Sequence, residues 1–349
     1  MDASVVLLNF GEPPEPERDT VEEYLTRIFY NNADLEDYDT EEAAMERSRE
    51  LARRRAPGLI EEYEEIGGSP LNPQSEAQAD ALKAELADRG HDVETYVGLQ
   101  FMEPLVEDAV ESVRADRHDR VVGLPIYPLC GPSTTVAALE EFEEAVAAAD
   151  DWDPQLHQVT GWHRHPLYNR IRADAITDYA DEHGLDLDDE DTALLFSAHG
   201  TPQYYLERGS RYGIYVEEWC ETMAAMVGVD DYLLGYQNHE NRDIPWTGPD
   251  VEAVLEETDA DRLLVDPVSF MHEQSETLSE LDDELKEEAE AEGIEFHRVP
   301  IPHDDDRFAE VLADLIEPFL AGFEPGYYQL RECQCKEEGA VCLNAPRSQ

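Results

Sequence analysis

The stretch TALLFSAHGTP occupies residues 192–202. Ala193, Leu194, Leu195 and Phe196 follow one another with no polar residue between them. A strand with one wet face alternates, whereas a strand covered on both faces is apolar without a break. Gly200 and Pro202 then end the run. Comparable segments lie at 5–10, 93–99, 121–127, 158–162, 232–236, 263–267 and 295–299. Amphipathic stretches at 75–89, 103–114, 135–149, 167–182 and 275–291 separate many of them. Alternating strand and helix predicts an α/β protein with parallel sheets and helices on both faces. Four strands precede residue 165 and four follow it. The layout predicts two Rossmann-like, doubly wound domains with four-stranded parallel sheets, at 1–155 and 156–325, and a cysteine-rich tail at 326–349. Ligands of such folds bind beyond the carboxyl ends of strands or between domains. Strand ends are therefore where chemistry is to be sought.

The chain has 349 residues, 41% of them hydrophobic, enough for two packed cores. No stretch approaches the roughly 20 apolar residues of a membrane span. The N-terminus is too short and too acidic for a signal peptide, which predicts a cytoplasmic protein. Asp and Glu number 83 against 25 Lys and Arg, a net charge of −58, and the only lysines are Lys83, Lys286 and Lys336. Such a surface repels nucleic acid and anionic lipid. It also repels itself unless the Debye length is cut to about 3 Å by very high salt. The acidity thus points to a halophilic setting rather than to a reaction.

Four strand ends stand out. His199 closes the 192–197 strand, where an imidazole serves as a general base or metal ligand, or simply bonds its own loop. After the 263–267 strand a helix opens with Ser275 as its expected N-cap. Glu276, Glu280 and Glu284 then recur every four residues and share one ridge. That ridge could pass cations inward or protons outward, or be one more solvated acidic face. Ser133, Thr134 and Thr135 follow the 121–127 strand, where they cap a helix or hold an anion. Near the start, LLNFGEP at 7–13 precedes an aromatic segment at 24–30 and the run Arg53, Arg54, Arg55. Arginine binds carboxylates bidentately, so an acidic ligand is one reading and internal salt bridges are the other.

The ordered set LLNFGEP (7–13), RRAPGLIEEYEEIGGSPL (54–71), YVGLQFMEPLVEDAV (96–110), YPLCGPSTT (127–135), SAHGTP (197–202), PWTGPDV (245–251) and ETLSELDDE (276–284) resembles ferrochelatase. The resemblance spans nearly the whole chain. It implies insertion of Fe²⁺ into protoporphyrin IX in heme biosynthesis, in a cleft between two chelatase-like domains, by a monomer or homodimer. On this resemblance His199 and Glu276 match the catalytic pair. With Glu280 and Glu284 they form the acidic metal-handling set. Arg55, Tyr63 and Ser69 match positions that hold porphyrin propionates, within a lip at 20–72. Phe10, Tyr24, Ile28, Phe29 and Trp246 are assigned to the cleft walls. Gln274 stands where many members carry histidine, with His272 nearby.

The chemistry requires a base near the ring and a carboxylate for metal or protons. PWTGPDV is similar to the coproporphyrin III branch, which leaves that substrate as an alternative. Cobalt and sirohydrochlorin chelatases of this fold are smaller and lack the lip. A non-catalytic tetrapyrrole or iron carrier, or an iron–sulfur sensor, is the alternative of another class, and would need neither His199 nor Glu276.

Cys333, Cys335 and Cys342 cluster near one end, which in an intracellular protein points to metal. Some ferrochelatases hold a [2Fe–2S] cluster with three tail cysteines and one distant cysteine. By that resemblance Cys130 is the fourth ligand, with zinc or a reduced tail as the alternatives. Cys220 lies on the apolar face of a helix at 216–227 and is assigned to the core. Porphyrin and ferrous iron are the implied partners, with at most weak peripheral contact to a membrane through the lip.

Overall fold

A computed structural model describes residues 3–149, 151–238, 244–320, 331–332 and 340–342. All eight strands form: β1 Ala3–Asn9, β2 Val93–Leu99, β3 Arg120–Pro125, β4 Gln155–Val159, β5 Thr192–His199, β6 Leu233–Gln237, β7 Arg262–Val268 and β8 Glu295–Arg298. They make two parallel sheets, ordered β2-β1-β3-β4 and β6-β5-β7-β8. Both halves thus use the same order, second-first-third-fourth. In each, the first strand lies centrally, where the winding direction reverses and ligands bind.

Strand β1 shows why the continuous apolar pattern works. Val5 and Leu7 enter one core with Ala79, Leu82 and Leu86 of α3 (Leu71–Asp88). Val6 and Leu8 face the other way, onto α4 (Val106–Ala115) and α5 (Ala137–Ala147). Each fully buried aliphatic side chain contributes about 1.5–3 kcal/mol of transfer free energy. Gly123 of β3 is a close-approach position, because a Cβ there would lie 2.6 Å from the Phe142 ring. β5 repeats the division, with Leu194 and Phe196 in one core and Leu195 in another.

Between β1 and α3 the chain makes a helical hairpin, α1 (Arg18–Asn31) and α2 (Glu41–Ile66). Val21, Tyr24, Leu25 and Phe29 pack on Leu51, Ala56, Leu59 and Tyr63. This is the 20–72 lip. The second half carries α6 (Pro166–His183), α7 (Gln203–Glu207), α8 (Tyr212–Val227), α9 (Val251–Glu257), α10 (Lys286–Glu292) and α11 (Arg307–Leu320). Cys220 is buried in the core through α8.

Three expectations change. The 155/156 boundary cuts through β4, which belongs to the first sheet. β4 itself begins earlier than the 158–162 run, because pairing with Arg120–Gly123 rather than hydrophobicity sets its start. The first sheet also exceeds four strands. The tail adds β9 (Arg331–Glu332) and β10 (Ala340–Cys342), and β10 runs parallel to β4. Among the described residues no helix is long and apolar enough to cross a membrane.

Candidate active site

His199 is the last residue of β5. Gly200 follows because nothing larger fits: a Cβ there would overlap the Asn238 amide oxygen, and Gly200 N–H donates to Gln237 O at 2.7 Å. His199 Nδ1 bonds Gly200 O at 2.5 Å, and Nε2 lies 3.4 Å from Glu276 Oε1. Tyr212 O–H fixes the His199 carbonyl at 2.9 Å. Burial alone would lower the imidazole pKa, but the Glu276 carboxylate, with help from the Gly200 carbonyl and Glu280, raises it to about 9. Both ring nitrogens face acceptors, a carbonyl at Nδ1 and a carboxyl at Nε2, an arrangement that suits the protonated ring.

Glu276 opens a helical stretch, Glu276–Leu285, whose hydrogen bonds follow the π pattern before α10 continues in α geometry. Such wide turns concentrate at functional sites. Ser275 does not cap this helix with its own hydroxyl, contrary to the expectation from sequence. Its hydroxyl donates instead to Glu12 Oε1 at 2.5 Å. The loop before it is fixed by Arg298, which bonds Glu273 at 3.0 Å and Asp282 at 2.6 Å. Gln237, at the end of β6, donates to Glu276 O at 3.0 Å and Glu280 Oε2 at 2.9 Å, and accepts from Ser197 Oγ at 2.9 Å. Gln274 Nε2 approaches Glu276 Oε2 at 3.3 Å, so an amide supports the carboxylate where an imidazole was a possibility.

Two adjoining cavities share His199, Gly200, Glu276, Glu12, Phe10, Ser133 and Thr134. The larger, about 1060 Å³ counted with its solvent-open mouth, lies between the lip and the second half. Phe10, Tyr24, Ile28, Phe29 and Trp246 all line it. Phe10 meets Phe101 edge-on, with ring centroids 4.6 Å apart. Among the described residues that line the cavity, Arg55 is the only arginine or lysine, and it is paired with Glu62 at 2.7 Å. Of the two readings of the arginine run, the internal salt bridge is present at Arg55, which also faces the cavity.

The other two proposed propionate positions do not reach the wall. Tyr63 is 1% exposed and packs behind Tyr24, and Ser69 bonds Glu12 instead. Glu280 lines the larger cavity, whereas Glu284 lies beyond the lining, facing Glu62 and Arg55 of α2, and burial raises its pKa. Among the described residues no group of three or more His, Cys, Asp or Glu is arranged to hold a metal ion. The expected set therefore resolves into a meeting pair, His199 and Glu276, with Glu280 and Glu284 trailing away along the ridge. His272 is no second base. It is buried, bonded to Asn9 at 3.2 Å and Gln78 at 3.0 Å, and burial drives its pKa down to about 3.

Glu12 and Gln237 are the functional-site residues that sequence reasoning missed. Glu12 lines both cavities yet is only 3% exposed. Burial raises its carboxyl pKa, against the bonds from Ser275 and Ser69. The available signal was position: Glu12 lies three residues past the end of β1, and Gln237 is the last residue of β6.

Cys130 is buried in the main core, in the loop after β3. Cys342 is buried at the end of β10. Val341 pairs with Val159, so Cys342 lies beyond the carboxyl end of β4. The Cys130 loop meets that same end, since Trp162 N–H and His163 N–H both donate to Pro128 O, at 2.8 and 2.9 Å. Cys333 and Cys335 lie outside the described residues.

A family model described as Ferrochelatase matches residues 2–319. A Picosynechococcus sp. protein named ferrochelatase is 35% identical over 327 residues, covering 90% of this chain and 82% of that protein. One from Synechococcus sp. (strain JA-3-3Ab) is 34% identical over 342 residues, covering 93% and 96%. Among solved structures, SirB from Bacillus subtilis with Fe3+ superimposes with a TM-score of 0.54 at 11% identity, over 94% of this chain and 98% of that one. That likeness concerns the fold alone.

Proposed function

The chain belongs to the ferrochelatase family, and from that premise we propose that it inserts Fe²⁺ into protoporphyrin IX, with His199 and Glu276 acting at the ring centre. It is an enzyme that inserts metal into a porphyrin. The observation carrying the residue assignment is the 3.4 Å contact between His199 Nε2 and Glu276 Oε1 where the two cavities join. Insertion removes two pyrrole protons and replaces the waters of Fe²⁺ with four ring nitrogens. In this proposal the Glu276 carboxylate, held by His199 at 3.4 Å, accepts one pyrrole proton and hands it to solvent before taking the second. A pair rather than a closed cage suits a metal in transit, which must be released as well as bound. Glu280 and Glu284 extend the negative ridge and are proposed to guide the cation.

The cavity also favours the dicarboxylate ring. Its wall is largely aromatic and aliphatic, and among the described residues Arg55 is its only arginine or lysine. Coproporphyrin III would bring four carboxylates into a cleft already holding Glu12, Glu62, Glu276 and Glu280. Anaerobic metallation of each porphyrin by the purified chain tests this, with protoporphyrin expected to give the higher kcat/KM. His199→Ala and Glu276→Ala should each abolish turnover and leave porphyrin binding within a few-fold. Binding without metallation by the native chain would instead favour a carrier.

A [2Fe–2S] cluster on Cys130, Cys333, Cys335 and Cys342 is proposed as well, supported by the position of Cys130 and Cys342 at one end of β4. Four thiolates would supply a one-electron centre there. Iron and acid-labile sulfide per chain, with the visible spectrum, test it: Cys130→Ser should lose both. The charge of −58 is proposed to adapt the chain to a cytoplasm of high salt.

A further inference from the structure

We propose that Glu12 is a positioning residue for Glu276: a carboxylate from one half of the molecule that caps the catalytic helix of the other half. This rests on the reading of Glu276 given above. Glu12 sits in the turn after β1, and its backbone is clamped on both sides by one side chain. Glu12 N–H donates to Asn72 Oδ1 at 3.0 Å, and Asn72 Nδ2 donates to Glu12 O at 2.8 Å. Its carboxylate is therefore held at a fixed point on the first half.

That carboxylate accepts three hydrogen bonds. Ser69 Oγ comes from its own half. Ser275 Oγ, at 2.5 Å, and Ser275 N–H, at 3.2 Å, come from the other. Ser275 immediately precedes Glu276, and its N–H belongs to the first turn of the helix, where donors lack intrahelical partners. A carboxylate there is also favoured by the helix dipole. The job a serine hydroxyl ordinarily does within its own chain segment is thus done by a glutamate 263 residues away.

The contacts within the second half leave one relation unset. Arg298 and Gln237 fix the helix relative to β7, β8 and β6. Neither fixes it relative to Phe10, Arg55 and the lip, which define where a ring would lie. Glu273 N–H also crosses to the first half, to Gln74 Oε1 at 2.9 Å, but the bonds from Ser275 to Glu12 are the crossing hydrogen bonds at the residue next to Glu276. Glu12 therefore helps to set the distance between Glu276 and the porphyrin-facing wall. An error of about 1 Å in such placement costs on the order of 10²-fold in rate.

The test is Glu12→Gln and Ser275→Ala, singly and together, in single-turnover metallation of protoporphyrin. Gln keeps the volume but replaces one of the two acceptor oxygens with a donor facing Ser275 N–H. Each single variant is expected to lose ten- to a hundredfold in the metallation rate, with KM for porphyrin and the melting temperature close to native. The double variant should be no slower than the worse single, because both remove one link. Normal metallation in Glu12→Gln overturns the proposal while the native chain still metallates, which leaves the parent reading intact. Additive losses in the double variant, or losses that follow porphyrin affinity and melting temperature, overturn it too. If Glu12→Gln fails to fold, Ser275→Ala alone decides, since it deletes a single hydroxyl.

Discussion

Acidification should loosen the joint between the two halves through one side chain, His272. It sits at 3% exposure, with Nδ1 facing Asn9 Nδ2 and Nε2 facing Gln78 Oε1. These partners select the neutral tautomer with the proton on Nε2. Burial, aided by the charge of His303, puts the folded pKa at about 3 against 6.5 in the open chain. The sign follows directly. Below 6.5 the unfolded chain binds a proton that the folded chain refuses, so the stability held above pH 6.5 is lost as the pH falls towards 3. At about 1.36 kcal/mol per unit, the loss between pH 7 and pH 5 integrates to roughly 2 kcal/mol. Other groups titrate in the same range, so a comparison isolates it. His272→Gln can accept from Asn9 and donate to Gln78 without titrating. Urea unfolding of both proteins at pH 7 and pH 5, at one ionic strength, should show the native chain losing about 2 kcal/mol more than the variant. Equal losses would refute the assignment of a buried neutral imidazole.

Three further outcomes are expected. Glu276→Gln should drop the His199 pKa from about 9 to below 6.5, because burial is then opposed only weakly, and ring NMR of the metal-free protein would register it. Since that pKa is raised in the folded state, the stabilisation is full below pH 6.5 and fades as pH climbs through 9, so native stability should decline over that interval more than that of the variant. Arg172→Met leaves Asp266 fully buried without its arginine, so that the carboxyl, its pKa already raised to about 6 by burial, must take up a proton; the cost should be about 3–5 kcal/mol in chemical denaturation, and Arg172→Met with Asp266→Leu should recover most of it. Gly123→Ala forces a methyl against Phe142 and should cost about 1–3 kcal/mol, whereas Gly213→Ala, with open space around it, should be close to neutral.

Most strands, and their division into two parallel sheets, were legible because burial on both faces leaves an unbroken apolar run, as in Val5 to Leu8, whereas the order of strands within each sheet was not. His199 was legible because an imidazole between an apolar strand and a glycine turn is locally distinctive. Glu276 stood out by its spacing from Glu280 and Glu284. Glu12 did not, since a single acid among 83 has no local mark and its function depends on a serine in the other half. Ser275 was misread for the same reason: its sequence says cap, and its tertiary partner is a stronger acceptor. The π geometry of 276–285 was equally hidden, because it answers to packing rather than to composition. Tyr63 lies a layer behind the cavity wall and Ser69 is turned onto Glu12, neither of which a match of motifs could reveal.

Strand β4 would by itself present a bare row of amide donors and acceptors to solvent, an invitation to strand addition from another chain. The tail covers the carboxyl end of β4. β10 pairs with Gln158 and Val159, and β9 turns the sheet antiparallel at its rim. Trimming the tail would therefore act on self-association first, and a truncated chain that clumps would be showing an uncovered sheet rim rather than a damaged reaction centre. The covering strand ends at Cys342, so a bond between that thiol and a group shared with the Cys130 loop would rivet the guard to the edge it protects.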